Sequence, residues 1–379
     1  MKLTFISNYI NHHQIPFSEA CYRQLEGEYA FVQTMPMESE RREMGWSSDG
    51  ENLPYVHCLY EKEAECRKLI MDSDILMAGW TDREDLILER LKSGRLTIRV
   101  SERIYREGRW KAVSPRGLIR KFQEHIRFRN KPVYLLCAGA YVAADFHLIG
   151  AYPSKMFRWG YFPATICYNE ELWIGKKEQQ IVQIVWAGRF ISLKRPEYMI
   201  KLAIDLKKAG CRFHIHMIGS GELDDQIKAL AEIGQVNEQI TFTGFCAPEE
   251  VRQIMAGSHI HVFTSNHLEG WGAVVNEAMN SGCATVASGQ AGAVPYLIEH
   301  GHNGMVFDNG DYDQMLSLVK YLIDHPDERE KMGRCAYQTI TEQWNAEQAA
   351  SSLISFARGL QNGEMVPAKA GPLSTAPLL

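Results

Sequence analysis

Short apolar runs alternate with helix-length amphipathic segments along this chain. Strands are predicted at 3–7, 30–34, 75–78, 96–100 and 133–137, then at 181–187, 213–218, 240–243, 259–263 and 284–287. Strands separated by helical segments imply βαβ units and parallel sheets. The alternation lapses from Trp159-Gly-Tyr-Phe-Pro163 through Lys176-Lys177, a stretch that is aromatic and polar without periodicity. Two doubly wound α/β domains are therefore expected, 1–170 and 178–345, facing across a cleft. In such sheets ligands bind beyond the carboxyl ends of the strands. Residues 346–360 read as a terminal helix, with Trp344, Ala349, Leu353 and Phe356 in phase. Residues 361–379 carry Pro367, Pro372 and Pro377 among Gly, Ala and Ser, the composition of a disordered tail.

The most informative stretch is Glu269-Gly-Trp-Gly-Ala-Val-Val-Asn-Glu277. It follows the last apolar residues of the 259–263 strand and a Ser265-Asn266-His267 loop. Gly270 and Gly272 then open a helical pattern that Ser281-Gly282 closes. A strand, a glycine-bearing loop and a helix start make an anion site. Backbone N–H groups near Gly270, Trp271, Gly272 and Ala273 have no helical partner, and the positive end of the dipole faces the ligand. At ~1.5 Å rise per helical residue the two carboxylates lie roughly 12 Å apart. One can hold hydroxyls before the phosphates and the other hydroxyls beyond them, the layout of a sugar–diphosphate–ribose ligand. The alternative is a solvated loop residue and a surface helix residue. It fits Glu277 poorly, since Val274, Val275, Ala278 and Met279 make an unpartnered carboxylate costly there.

Other cations and glycines fall at the ends of neighbouring strands. Gly188-Arg189 ends the 181–187 strand, and Lys194 follows before a helix. Arg clamps a diphosphate with two parallel hydrogen bonds, whereas Lys acts as a point charge. Both could instead be surface cations near a turn. Gly219-Ser-Gly221 only partly matches a dinucleotide fingerprint, lacking its third glycine, and reads as a tight turn lining a nucleotide pocket. Thr243-Gly244-Phe245 closes the next strand and offers backbone for a base to lie against.

Composition narrows the class. A chain of 379 residues exceeds one ordinary core, and 41 basic against 46 acidic side chains argue against a general nucleic-acid binder. Nine cysteines without CxxC pairs indicate neither a zinc site nor a disulfide framework and fit a reducing cytoplasm. The opening residues read as a first strand rather than a signal peptide, and no apolar run approaches the ~20 residues of a membrane span. A cytoplasmic protein is expected, one that can still lie on the inner face of a membrane.

In the first half, the 3–7 strand runs into His12-His13, which either bind at a helix start or cap it. Glu102, after the 96–100 strand, either faces an acceptor or pairs in solvent with Arg103. Gly79-Trp80-Thr-Asp82 ends the 75–78 strand. Between Arg99 and Lys131 stand eleven Lys or Arg and three Glu, a local +8. Leu118, Ile119, Phe122 and Ile126 form an apolar stripe between Arg116, Arg120, Lys121, Arg127 and Arg129. Such a helix suits an anionic membrane surface or a lipid-diphosphate acceptor, or is a solvated face that covers a core.

Taken together, Arg189 with Lys194, Gly219-Ser-Gly221, Thr243-Gly244-Phe245, Glu269 through Glu277 and Gly282-Cys-Ala-Thr-Val-Ala-Ser288 resemble the retaining nucleotide-sugar glycosyltransferases of family 4 (glycosyl transferases group 1). The likeness is dense from roughly 180 to 345 and looser over 1–165. It implies the GT-B fold: two Rossmann-like domains, with the terminal helix returning toward the first. It further implies that Glu269 holds the donor sugar's hydroxyls and Glu277 the ribose, while Arg189 and Lys194 neutralise the diphosphate. The donor would be a nucleotide-diphosphate sugar and the acceptor a glycan or lipid-linked precursor. Neither cofactor nor metal is expected, because no DxD motif follows a strand and cations with a helix dipole can supply the charge stabilisation. Many family members carry a glycine pair where this chain has His12-His13, so that contact does not transfer. Two rivals stand beside this reading, a nucleotide-sugar 2-epimerase and a non-catalytic nucleotide-sugar-binding subunit.

Overall fold

The central strands are buried along their whole length, which is why their sequences read as unbroken apolar runs rather than alternations. In a computed structural model of the chain, which describes residues 1–37, 49–169, 171–177 and 179–379, they form two parallel sheets. The first sheet holds β1 (Leu3–Ser7), β2 (Tyr29–Gln33), β3 (Val56–Cys58), β4 (Ile75–Ala78), β5 (Thr97–Ser101), β6 (Val133–Ala138) and β7 (Met156–Trp159). The second holds β8 (Val182–Ala187), β9 (Phe213–Ile218), β10 (Ile240–Gly244), β11 (Ile260–Phe263), β12 (Ala284–Ser288) and β13 (Met305–Phe307).

The orders are β3-β2-β1-β4-β5-β6-β7 and β10-β9-β8-β11-β12-β13. Both are doubly wound, and each reverses direction once: between β1 and β4, and between β8 and β11. At such a switch point the connections leave to opposite sides and open a crevice at the carboxyl ends of the strands. Each sheet has its own core. Ile184, Met199, Leu202, Ile215 and Val286 lie in that of the second, and Ile6, Val32, Leu76, Leu135 and Phe146 in that of the first.

The first unit comprises Met1–Ala164 together with Trp344–Leu379, and the second Thr165–Gln343. The domain bounds expected at 170 and 178 fall on residues outside the described ones. The terminal helix Ala346–Gln361 belongs to the first unit, capped by Asn345, whose side chain accepts from the Gln348 amide at 2.8 Å. It buries Ala349, Ala350, Leu353 and Phe356, and Glu347 pairs with Arg23 of the helix Ile15–Gln24.

The expected disordered tail, 361–379, is a correction. Its chain lies antiparallel against β7: Arg158 donates to the Ser374 carbonyl at 2.7 Å, Leu373 to Arg158 at 2.9 Å and Ala376 to Met156 at 3.0 Å. Leu373 is fully buried. The prolines read as disorder suit a sheet edge, where a missing N–H can face away from the ladder. Among the described residues, no helix is long and apolar enough to cross a membrane.

Candidate active site

β8 and β11 flank the switch point of the second sheet, and the chain beyond each is fixed by polar contacts. Trp186 of β8 donates its indole N–H to Thr264 Oγ1 at 2.9 Å, and Thr264 donates to the Lys194 carbonyl at 2.5 Å. Asn266 N–H donates to the Leu193 carbonyl at 2.9 Å. These bonds hold the turn Ser192–Lys194 beside the loop that carries Glu269. There the Lys194 ammonium and the Glu269 carboxylate lie 2.5 Å apart, both largely buried. The ammonium is also 5.8 Å from the centre of the Phe263 ring. Under that ring Gly272 (φ +93°) has no alternative, since a β-carbon would lie 2.7 Å from the ring carbon. A largely buried ion pair contributes little net stability. Its place at a strand-end crevice points to a binding role.

The loops beyond β8, β9 and β10 lie layered against one another. Gly188 N–H donates to the Ile218 carbonyl at 3.0 Å, Phe190 to Ser220 at 2.9 Å and Gly219 to Gly244 at 2.7 Å. At Gly219 (φ +123°) a β-carbon would sit 2.0 Å from the Gly188 carbonyl oxygen, closer than any side chain permits. Arg189 projects into solvent from this layer, and Phe245, beyond β10, is likewise exposed.

The helix Val274–Asn280 follows. Its first bonds run from Val275 N–H to the Gly272 carbonyl and from Glu277 N–H to the Ala273 carbonyl. Amides before Val275 thus precede the helical ladder. Glu277 is partly buried in the first turn, and burial raises its carboxyl from an ordinary 4.5 to about 7, against an opposing pull from Arg252. Trp271 stands in the expected run of backbone amides, and its indole is 1% exposed, donates to Asn276 Oδ1 at 2.8 Å and packs near Tyr296. Its side chain anchors the loop from below, so only its backbone can face a ligand.

In the first sheet, the loop after β1 turns through Asn11. Its side chain accepts from His13 N–H at 3.0 Å, and its carbonyl from Gln14 and Ile15. The His12 and His13 rings lie 3.8 Å apart, and His13 stacks on Tyr161 at 6.2 Å with planes 9° apart. The Tyr161 hydroxyl donates to Glu102 Oε1, and the other Glu102 oxygen lies 3.6 Å from Arg106. Two residues singled out separately, His13 and Glu102, thus meet through Tyr161, which sequence reasoning did not select. Its only signal was the aromatic run at 159–163. The alternative pairing of Glu102 with Arg103 is corrected: Arg103 turns to the buried Asp145, 3.4 Å away. Beyond β4, the Trp80 carbonyl accepts from Asn8 N–H at 2.8 Å, and Asp82 accepts from Thr34 at 2.9 Å.

Residues 169–339 match the family described as "Glycosyl transferases group 1". A GDP-mannose-dependent phosphatidylinositol monomannoside mannosyltransferase of Mycobacterium tuberculosis is 24% identical over 182 residues, 46% of this chain and 47% of that protein. The alpha-D-kanosaminyltransferase of Streptomyces kanamyceticus is 28% identical over 177 residues, 46% of this chain and 45% of that one. The chain thus spans about half the length of the curated relatives it matches. Among solved structures, Anabaena HepE in complex with UDP superposes with TM-score 0.67 at 15% identity, covering 94% of this chain and 100% of that one. TarM superposes with TM-score 0.69 at 11% identity, covering 93% and 98%. These likenesses establish the fold, GT-B.

Proposed function

We propose, from the match of residues 169–339 to the glycosyl transferases group 1 family, a retaining, metal-independent glycosyltransferase. It moves a sugar from a nucleotide-diphosphate donor to a glycan or lipid-linked acceptor in surface polysaccharide or glycolipid synthesis. The Lys194–Glu269 pair at the β8–β11 switch point carries this reading. On donor binding the two side chains exchange partners: Glu269 accepts from sugar hydroxyls, and Lys194 turns its charge to the diphosphate beside Arg189. Glu277 accepts from the ribose diol. The base lies over the layered glycine loops, with Gly219 and Gly244 beneath it and Phe245 at its edge. Transfer breaks the bond from the anomeric carbon to the β-phosphate oxygen and forms one to the acceptor oxygen on the same face. The acceptor's proton leaves with the phosphate. Two cations and peptide amides stabilise the leaving charge, the office a metal would otherwise fill. On the acceptor side, Glu102, Tyr161 and His13 form the polar group that orients the incoming hydroxyl, beside His12.

The relatives' names and the solved complex involve GDP and UDP, so the base is best found by trial. UDP-, GDP-, ADP- and dTDP-sugars are to be compared for protection against heat unfolding. A donor at a hundred times its Kd stabilises a protein that binds it only when folded by ~2.7 kcal/mol. The protecting donor is then incubated with candidate acceptors in EDTA, and the anomer of the product is read by NMR. One donor is expected to protect and to yield retained product. No protection by any of the four, an absolute metal requirement, or epimerisation without acceptor would each defeat the proposal.

A further inference from the structure

The amphipathic segment that precedes β6 does not bury its apolar face. The helix Pro115–Glu124 has no buried residue. Ile119 is 60% exposed, Phe122 54% and Leu118 40%. Just before it, Val113 is 76% exposed and Trp110 69%. A folded unit rarely leaves so many large apolar side chains in one patch unless a partner covers them. At ~100° per residue Leu118, Phe122 and Ile119 span roughly 100° of the helix, with Lys121 and Arg116 each about 60° beyond an edge.

The charge around the patch is one-sided. Arg116, Arg120, Arg127, Arg129 and Lys131 are exposed, and Lys111 and Lys121 partly so. Among the described residues, the acidic groups near these cations include Glu107, paired with Lys111, Glu124, 2.6 Å from Arg120, and Glu84, bound to Arg99 at 2.7 Å. An apolar strip between two basic borders matches a surface whose interior is hydrocarbon and whose border is anionic. A second copy of this chain would bring the same positive charge against itself.

We propose that Trp110, Val113, Leu118, Ile119 and Phe122 insert into the interface of an anionic lipid bilayer, with Arg116, Arg120 and Lys121 on the headgroups. The apolar side chains supply depth and the basic ones attraction, each cation near the surface adding a comparable increment. The face lies on the first unit and does not depend on how the second unit is used.

The full-length protein is to be floated with vesicles of phosphatidylcholine alone and with phosphatidylglycerol included. Wild type is expected on the anionic vesicles and not on the neutral ones, and added salt is expected to weaken binding. The double variant Ile119→Glu, Phe122→Glu changes exposed positions only and is expected to bind at least ~10-fold more weakly, with unchanged circular dichroism and melting. Arg116→Glu with Arg120→Glu is expected to do the same. Failure of wild type to bind anionic vesicles overturns the proposal, as does equal binding by the apolar variant. A dimer in sedimentation velocity that the apolar variant dissolves would overturn it too, by assigning the patch to self-association. Vesicle flotation reads no turnover, so its failure and that of the transferase reading are distinct.

Discussion

Lys194 and Glu269 are each held by the other, and that mutual dependence makes them separable by mutation. Lys194→Ala, and likewise Arg189→Ala, is expected to lower kcat/KM at least ~100-fold, about 3 kcal/mol of leaving-group stabilisation, measured with the protecting donor at saturating acceptor. Lys194→Ala also leaves a largely buried carboxylate unpaired, so the second unit melts earlier. Lys194→Met combined with Glu269→Gln removes both charges and is expected to recover the melting temperature but not transfer. If the double variant transferred sugar, neither residue would belong to the reaction. Glu277 gives a pH signature. Its folded value of about 7 stands above the ordinary 4.5, so the native state holds a proton that the unfolded chain gives up. Its contribution to stability is full at low pH and is lost as pH rises from 4.5 through 7. A ribose diol needs the carboxylate, so nucleotide affinity is expected to fall as pH drops below 7, and Glu277→Gln to flatten that slope in calorimetric titration. The Lys194–Glu269 pairing follows two strand ends that the apolar runs mark, so its neighbourhood could be read from the sequence. Tyr161 could not be, since its bond to Glu102 joins residues 59 apart that only the folded sheet brings together.

Among the elements, the interior strands were read within a residue or so, because burial on two faces writes an apolar run too short for a helix. The edge strands β3, β7 and β13 escaped. They hold three or four residues each, and β3 is only half-buried. The basic helix was visible as a period, yet period alone cannot say whether an apolar stripe meets a core or solvent; the packing leaves Leu118, Ile119 and Phe122 to solvent and sets Ile126 against the core. Trp271 shows what a glycine-flanked loop hides in sequence, a side chain that serves the core beneath while the backbone stays outward. Loop layering yields its own prediction. Gly219→Ala forces a β-carbon onto the Gly188 carbonyl at a positive φ, and is expected to cost ~2 kcal/mol or more in denaturant unfolding. Nucleotide protection should vanish with it, because the strand-end loops shift together. An unchanged midpoint would mean that these loops yield more freely than their hydrogen bonds suggest.

At the scale of the whole molecule, the first unit is built from two separate segments, Met1–Ala164 and Trp344–Leu379, and the second is one uninterrupted stretch. Removing residues 362–379 strips β7 of its antiparallel neighbour and uncovers Leu373's site. Faster hydrogen exchange is expected along Met156–Trp159 and little change across Val182–Ala187; equal exchange in both would contradict the pairing. An open edge of this kind also invites pairing with other chains, so the shortened protein is expected to aggregate more readily. The same threading governs how the protein is born. A ribosome releases the first sheet early, yet the helix and strap that finish it emerge only after the entire second unit has had time to fold. The part made first is thus completed only once the second unit has been made, and a stalled or nicked message would leave it waiting, half dressed, for chaperones to hold.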